Sequence, residues 1–148
     1  MSLSLHFEQR ESESVVILDL RGQLDFGQGD LELRERLGGL YQSGKVNIIL
    51  DLKHVDRIDS TGLGTLVFGL ARLRKAGGRL ALLNVNRSHL ELFLLTRLAS
   101  AFEFFGDERD AVNSFFPDRA VRRFDILDFV RREESRDSDS RAASETAG

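Results

Sequence analysis

The sequence predicts an α/β fold, a mixed and mostly parallel sheet flanked by helices. Apolar runs rich in β-branched residues alternate with segments in which leucines recur every three or four positions. This alternation is typical of strands joined by crossover helices, which makes a sheet largely parallel. The first two apolar runs lie too close together for a helix between them. They are expected to pair as an antiparallel hairpin, and the sheet is therefore mixed.

The first part of the chain is predicted as two strands, a helix and a third strand. Alternating residues 3–7 indicate a strand with one buried face, and the β-branched run 15–20 indicates a second strand. The apolar run 46–51 indicates a central strand buried on both faces. Between them lies a helix that Asp30 is expected to cap and that ends before Gly44. Its leucines at helical spacing are Leu31, Leu33, Leu37 and Leu40.

The second part is predicted as a helix and strand followed by shorter elements. A helix from about Thr61 to about Ala76 is indicated by its apolar face, its basic last turns and the Gly77-Gly78 pair that follows. Residues 79–84 indicate a buried strand, and residues 102–105 a short edge strand. Ser88 and Asp107 are expected to cap two further helices. The apolar residues assigned to these three helices are Leu63, Leu66, Val67, Leu70 and Leu73, then Leu90, Leu92, Phe93 and Leu95, then Ala111, Val112, Phe115 and Phe116.

The composition changes after Pro117, the single proline of the chain. We therefore expect one domain over residues 1–117 and a C-terminal extension over residues 118–148. Asp118 is expected to cap a short amphipathic helix in the extension. The apolar positions of that helix recur every three residues, at Val121, Phe124, Leu127 and Val130. From about Arg131 apolar residues nearly vanish, which predicts a disordered tail.

The composition excludes several classes of function. The chain has 148 residues and a formal net charge of −3, which argues against direct nucleic-acid binding. It contains no cysteine, so disulfides and zinc–thiolate sites are excluded. No apolar run approaches the roughly 20 residues of a membrane span. We expect a cytoplasmic protein that does not bind a membrane.

The most informative motif is Asp59-Ser60-Thr61-Gly62-Leu63-Gly64, at the point where a strand passes into a helix. The first N–H groups of a helix lack internal partners and carry a partial positive charge, so a phosphate is tolerated there. Ser60 is therefore predicted to be a phosphorylation site, and Thr61 is a weaker candidate. The alternative is that Ser60 is an ordinary helix cap. The two glycines cost roughly 1 kcal/mol each in a helix, which suggests close approach of a strand or a partner.

The motif and its surroundings resemble the STAS domain of bacterial anti-sigma factor antagonists. The resemblance covers residues 3–116, including the apolar strand, the Asp-Ser-Thr-Gly-Leu-Gly turn and the Gly-Gly pair. It implies a mixed sheet flanked by helices and phosphorylation of Ser60 by an anti-sigma factor serine kinase. It also implies that Asp25, in the turn Gly22-Gln23-Leu24-Asp25, helps to engage that kinase. The partner-binding residues it implies are Asp25, Asp59, Ser60, Thr61, Gly62, Leu63 and Gly64.

The resemblance implies a protein–protein switch that is not an enzyme and needs no cofactor, because the ATP belongs to the kinase. It does not specify an oligomeric state. Two departures keep an alternative open, a scaffold or sensory STAS domain that assembles with proteins or binds a small ligand. One is the helix start Phe26-Gly27-Gln28-Gly29, where small helix formers are usual in the family, so that a loosened start could weaken or retune partner contact. The other is the long C-terminal extension.

Other chemistries fit the sequence poorly. Asp51 at the end of a predicted central strand could be a phosphoacceptor like that of response-regulator receivers, but the accompanying acidic pair and late lysine are missing. There is no P-loop, no Gly-x-Ser-x-Gly elbow and no His-Glu-x-x-His helix. Asp51 and Asp56 are expected to cluster with Asp59 near Ser60, without a base to activate a nucleophile. The three histidines lack metal-ligand spacing and are expected at the surface or in turns: His6, His54 and His89.

Overall fold

The computed structural model describes residues 5–126, 128 and 131–132. Residues 6–113 form one five-stranded sheet and four helices. In chain order the elements are β1 (His6–Ser12), β2 (Val15–Leu24), α1 (Gln28–Gln42), β3 (Asn47–Ile58), α2 (Ser60–Lys75), β4 (Arg79–Leu83), α3 (Arg87–Leu95), β5 (Glu103–Phe105) and α4 (Glu108–Asn113).

The sheet is mixed, and the predicted fold class is confirmed. Its strands lie in the order β1-β2-β3-β4-β5, with β1 antiparallel to β2 and the remaining neighbours parallel. The expected hairpin joins β1 to β2 through Glu13 and Ser14, whose φ angles are 51° and 71°. Pairing continues up to this tight turn, so β1 runs to Ser12 and not only to Phe7. Residues 1–4, which include the predicted start of this strand, lie outside the described residues.

Strands β2 and β3 continue well beyond the apolar runs that predict them. Their parallel pairing extends to Leu24 opposite Ile58, with two register shifts on the way. By contrast, β3 pairs with β4 only as far as Asp51. The last seven residues of β3 therefore project past the sheet beside β2 alone. This projection brings the chain that leaves β2 next to the chain that enters α2.

Helices flank both faces of the sheet. On one face α1, α2 and α3 cover the larger core, to which they contribute residues such as Leu33, Leu66 and Phe93. On the other face α4 covers a smaller core that contains Ile49 and Val112. The central strand alternates between the two cores, which explains the consecutive apolar residues Ile48, Ile49 and Leu50.

The helix caps differ from the predictions at two helices. Asp30 does not cap α1, which starts after Gly27 without a side-chain cap. The Asp30 carboxylate instead accepts hydrogen bonds from Arg34 and from the Thr65 hydroxyl of α2, because it lies inside the first turn. Ser88 does not cap α3, since the helix begins one residue earlier and Asn86 accepts the capping bond.

The last helix of the domain agrees with the prediction at its start but not at its end. Asp107 caps α4 as predicted, with its carboxylate 3.1 Å from the N–H of Asp110. The helix ends at Asn113, however, so Phe115 and Phe116 pack against the smaller core from the segment that follows it.

The chain continues to pack on the domain beyond Pro117. Asp118 lies in a turn and does not cap a helix, because residues 120–125 have no regular structure. The N–H of Phe124 donates to the carbonyl of Phe104, and Ile126 is only 8% exposed. Residues 126, 128, 131 and 132 are helical, and the Asp125 carboxylate accepts from the N–H of Asp128. The predictions for Leu127, Val130 and residues 133–148 fall outside the described residues.

Across the described parts of the chain, every helix is too short or too polar to cross a membrane.

Candidate functional site

The candidate site is formed where the end of β2 meets the start of α2. The N–H of Asp59 donates to the carbonyl of Leu24 at 3.3 Å. A Cβ on Gly62 would lie 2.1 Å from that same carbonyl oxygen, far inside contact distance. The first turn of α2 thus rests directly on the end of β2, and only glycine fits at position 62. The sequence suggested that the two glycines of the motif allow close approach of a strand or of a partner. At Gly62 the structure shows close approach of a strand.

Asp59 joins the two chain segments through both oxygens of its carboxylate. One oxygen accepts the N–H of Gly62 at 2.9 Å, which caps α2. The other accepts the N–H of Phe26 at 3.0 Å, in the loop between β2 and α1. Residues that are 33 positions apart in sequence are therefore held together by one side chain.

The hydrogen bonds to Asp59 keep it ionised. Partial burial of the carboxylate opposes the charge, but the N–H groups of Gly62, Phe26 and Thr61 favour it, and so does the nearby Arg57 guanidinium. Together these donors and the cation outweigh burial and hold the pKa of Asp59 below its ordinary value. The site therefore carries a fixed negative charge beside Ser60 at neutral pH.

Ser60 is the first residue of α2 and is exposed. The alternative that Ser60 caps the helix is wrong, because Asp59 occupies the capping position. The Ser60 hydroxyl makes no hydrogen bond to any other residue in the described part of the chain. A hydroxyl at the helix N-terminus is thus left accessible to a modifying enzyme.

The other residues of the motif divide into buried and accessible positions. Gly62 and Leu63 are buried, whereas Thr61 is half-buried and Gly64 is exposed. A Cβ added to Gly64 would meet no atom within 4 Å. The fold therefore explains the glycine at position 62 but not the one at position 64.

Asp25 lies in the neighbouring loop and is half-buried. Its backbone carbonyl accepts the N–H of Asp30 at 3.3 Å, and its carboxylate lies 3.9 Å from the Arg57 guanidinium. The loop that contains Asp25 is brought to the Ser60 turn by Asp59, as the hydrogen bond to Phe26 shows. The structure thus places Asp25 and Ser60 in two segments that Asp59 ties together.

Asp51 does not join this cluster. β3 continues for seven residues after Asp51, which at about 3.3 Å per residue puts it roughly 20 Å from the start of α2. Its carboxylate accepts the N–H of Lys53 and the side-chain amide of Asn84. Asp51 is therefore not at the end of a strand, and the comparison with a receiver phosphoacceptor loses its main support. Within the described ranges no group of three or more His, Asp or Glu side chains could hold a metal ion.

His89 is not a surface residue, contrary to the expectation from sequence. It is 5% exposed, and its Nδ1 has no hydrogen-bond partner among the described residues. Burial lowers the pKa of His89, although a hydrogen bond with the backbone of Asp56 and the charge of that residue act in the opposite direction. His89 is therefore neutral at pH 7, and its ring on α3 lies against the backbone of Asp56 near the end of β3.

Exposed apolar side chains near the site were not anticipated. Phe26 is 82% exposed, and Val67 and Phe68 on α2 are also exposed. Periodicity assigned Val67, Leu31 and Leu95 to buried helix faces, but all three are exposed. On α2, the positions Ser60, Gly64, Val67 and Phe68 recur at intervals of three and four residues. This spacing could have indicated a second face of the helix, directed outward and partly apolar.

Comparisons with known proteins agree with the geometry. The family model described as STAS domain matches residues 6–111. The chain is similar to the anti-sigma-B factor antagonist of Bacillus subtilis (strain 168), at 30% identity over 96 residues that span 65% of this chain and 86% of that protein.

Solved structures share the fold. A structure of an anti-sigma factor antagonist from Mycobacterium paratuberculosis is similar with a TM-score of 0.67 at 20% identity, over 75% of this chain and 93% of that one. The Bacillus cell fate determinant SpoIIAA in its phosphorylated form gives a TM-score of 0.59 at 21% identity, over 74% and 99% of the two chains. Because the family model spans more than half of the 148 residues, this chain belongs to the STAS domain family.

Proposed function

We propose that this protein is an anti-sigma factor antagonist that is switched by phosphorylation of Ser60. Unmodified, it binds an anti-sigma factor serine kinase through the Ser60 turn, the exposed side of α2 and the Asp25 loop. Binding sequesters the kinase and frees a sigma factor. Phosphorylation of Ser60 by the kinase releases the complex. The protein acts in the cytoplasm as a binding partner without a cofactor of its own, and it contacts neither nucleic acid nor membrane.

The observation that carries this proposal is the position of Ser60. Its hydroxyl is exposed at the start of α2 and is not used as a cap, because Asp59 has that role. A relative at 30% identity is named as an anti-sigma-B factor antagonist, and one protein of the same fold has a solved phosphorylated form. These names support the assignment to this chain.

The physical basis of release is the charge of the phosphate. A phosphoserine adds roughly −1.5 to −2 charges. Inside the protein this charge is tolerated, because it stands at the N-terminus of a helix. A partner surface that has packed on a neutral hydroxyl must instead desolvate the phosphate and move away from it. Binding is therefore expected to weaken strongly while the fold is preserved.

The test is incubation with the cognate anti-sigma factor kinase and ATP, followed by mass spectrometry. Phosphate is expected on Ser60, and Ser60→Ala should abolish the modification while retaining kinase binding. Ser88→Ala is the matched control, since Ser88 is also an exposed serine in the first turn of a helix. Modification confined to Thr61, or equal affinity of the kinase for both forms, would contradict the proposal.

One observation favours a sensory role as the second candidate. An open groove of about 700 Å³ lies between the end of α3, β5 and residues 123–126. Its lining combines the apolar Phe102 and Phe104 with the cationic Arg97 and Arg123. Glu103 and Asp125 also line the groove, so its charges balance, and the lining suits a small amphiphile with a polar end. A STAS domain that accepts no phosphate but binds such a ligand would support this role in place of the switch.

A further inference from the structure

Phe26 is a large apolar side chain presented to solvent beside the candidate phosphorylation site. It is 82% exposed, and its backbone N–H is bonded to the same Asp59 carboxylate that caps α2 ahead of Ser60. The backbone of Phe26 therefore lies next to the residue that precedes Ser60, and both Phe26 and Ser60 are exposed. An exposed aromatic ring contributes nothing to the core, so its presence at this position has no explanation within the fold.

The loop that carries Phe26 is held rigidly on both sides. The N–H of Phe26 is fixed by Asp59, and the carbonyl of Gly27 accepts the N–H of Leu31 at 3.2 Å. Gly27 has a φ of 110°, and a Cβ on Gly29 would lie 2.3 Å from the carbonyl oxygen of Gln23. The loosened helix start expected from these glycines is thus a tight turn. A side chain presented on a fixed backbone loses little further freedom on binding.

The apolar surface continues from Ser60 along α2. Ser60, Gly64, Val67 and Phe68 are separated by helical intervals and are all exposed. Gly64 has open space around its Cα and no role in packing, although a glycine inside a helix is unfavourable. A glycine at this position permits another backbone to approach closely.

We infer that Phe26 is the anchor of the partner interface, and that it inserts into an apolar pocket of the same kinase that phosphorylates Ser60. This inference rests on the proposed function and names the residue whose side chain makes the largest single contribution to affinity. Interface hot spots are typically rigid aromatic side chains that bury roughly 150–250 Å² each. The half-buried carboxylate of Asp25 stands one residue before Phe26 in the same loop. The pocket is therefore expected to have Lys or Arg side chains at its rim.

This assignment also explains why a single phosphate would be sufficient for release. Phe26 can enter a pocket only if the partner surface reaches the Asp59 turn, where Ser60 begins α2. A phosphate on Ser60 separates the two surfaces at that point and withdraws the anchor from its pocket. The loss of affinity then includes the apolar burial of Phe26 in addition to the desolvation of the phosphate.

The test is isothermal titration calorimetry of the purified kinase with three variants of the full chain. Phe26→Ala should weaken binding by about 30-fold or more, which is roughly 2 kcal/mol at 1.4 kcal/mol per tenfold. Phe26→Tyr should restore most of the affinity. Leu95→Ala is the matched control, because Leu95 is 83% exposed on a different helix, and its affinity should stay within twofold of wild type. Melting temperatures of all three should match wild type, since neither side chain packs in the core.

The outcomes separate this inference from the proposed function. If wild type binds the kinase and Phe26→Ala binds within threefold of it, Phe26 is not the anchor and the proposed function stands. If wild type does not bind the kinase at all, both ideas fail together. Sedimentation that shows a wild-type dimer and a monomeric Phe26→Ala variant would overturn the inference in favour of a second copy of this chain.

Discussion

Two glycines of the same turn are expected to respond to alanine with opposite signs. A Cβ at position 62 would lie 2.1 Å from the Leu24 carbonyl oxygen, which belongs to the backbone and cannot move aside cheaply. Overpacking of this kind costs roughly 1–3 kcal/mol, and a backbone neighbour favours the upper end. The helix gains up to about 1 kcal/mol from the loss of glycine. We therefore expect Gly62→Ala to destabilise the domain by about 2 kcal/mol.

At position 64 the steric term is absent, because a Cβ would meet no atom within 4 Å. Only the helix-propensity gain remains, so Gly64→Ala should stabilise the fold by about 1 kcal/mol. The same methyl group would stand between α2 and a partner backbone. Kinase affinity should therefore fall although stability rises. Gly69 is an intermediate case, since its Cβ would lie 2.8 Å from the movable end of the Leu37 side chain.

Thermal and urea unfolding of the three variants measure the effect. For a domain of this size 1 kcal/mol corresponds to roughly 4 °C in melting temperature. The expected shifts are about −8 °C for Gly62→Ala and about +4 °C for Gly64→Ala, with Gly69→Ala between them. Equal shifts at positions 62 and 64 would refute the assignment of one glycine to packing and the other to the partner. A lower melting temperature for Gly64→Ala would do the same.

Three further predictions concern the cap, the C-terminal segment and the phosphate. Asp59→Asn should lower stability by less than about 1 kcal/mol, because asparagine still caps the helix and only the negative charge at its N-terminus is lost. The fold lowers the pKa of Asp59 from 3.8, so the contribution of the charge is full above that pH and is lost as pH falls through the folded value; acidification should close the gap to wild type in pH-dependent urea unfolding. Ending the chain at Pro117 should cost about 3 kcal/mol in the same assay, because Phe124 and the buried Ile126 are lost, whereas removal of residues 131–148 should leave the melting temperature nearly unchanged. Phosphorylation of Ser60 should change stability by less than about 1 kcal/mol by calorimetry, since the helix N-terminus attracts the phosphate and the nearby carboxylates repel it; unfolding on modification would contradict release by repulsion at the interface.

The sequence predicted the sheet and its helices, because burial on two faces leaves uninterrupted apolar runs. It did not predict that β2 and β3 continue to Leu24 and Ile58, since the buried apolar residues there, such as Leu24 and Val55, stand among polar residues and form no apolar run. The cap predictions for two helices were wrong because Asp30 and Ser88, which are good capping residues, lie three and two residues after the observed caps, Gly27 and Asn86.

In the candidate site, too, features of the local sequence were predicted and contacts between distant segments were not. The Asp-Ser-Thr-Gly order placed Ser60 at a helix start, which the structure confirms. The bond from Phe26 to Asp59 joins segments 33 residues apart and depends on how far the two strands project. Helical spacing likewise could not tell whether Val67 faces the core or solvent, because both faces of α2 carry apolar residues.

The geometry around Asp59 explains why a modification at this site would act on the surface and leave the fold in place. The donors that a new anion would attract are already shared with a carboxylate, which accepts from Gly62 and Phe26. A phosphate on Ser60 must therefore compete with Asp59 for the same N–H groups, or remain directed toward solvent. In either case the backbone of α2 stays anchored through the bond between Asp59 and Leu24, which uses no side-chain oxygen. The added charge is consequently borne at the exposed face that carries Phe26, which is where a partner would meet it.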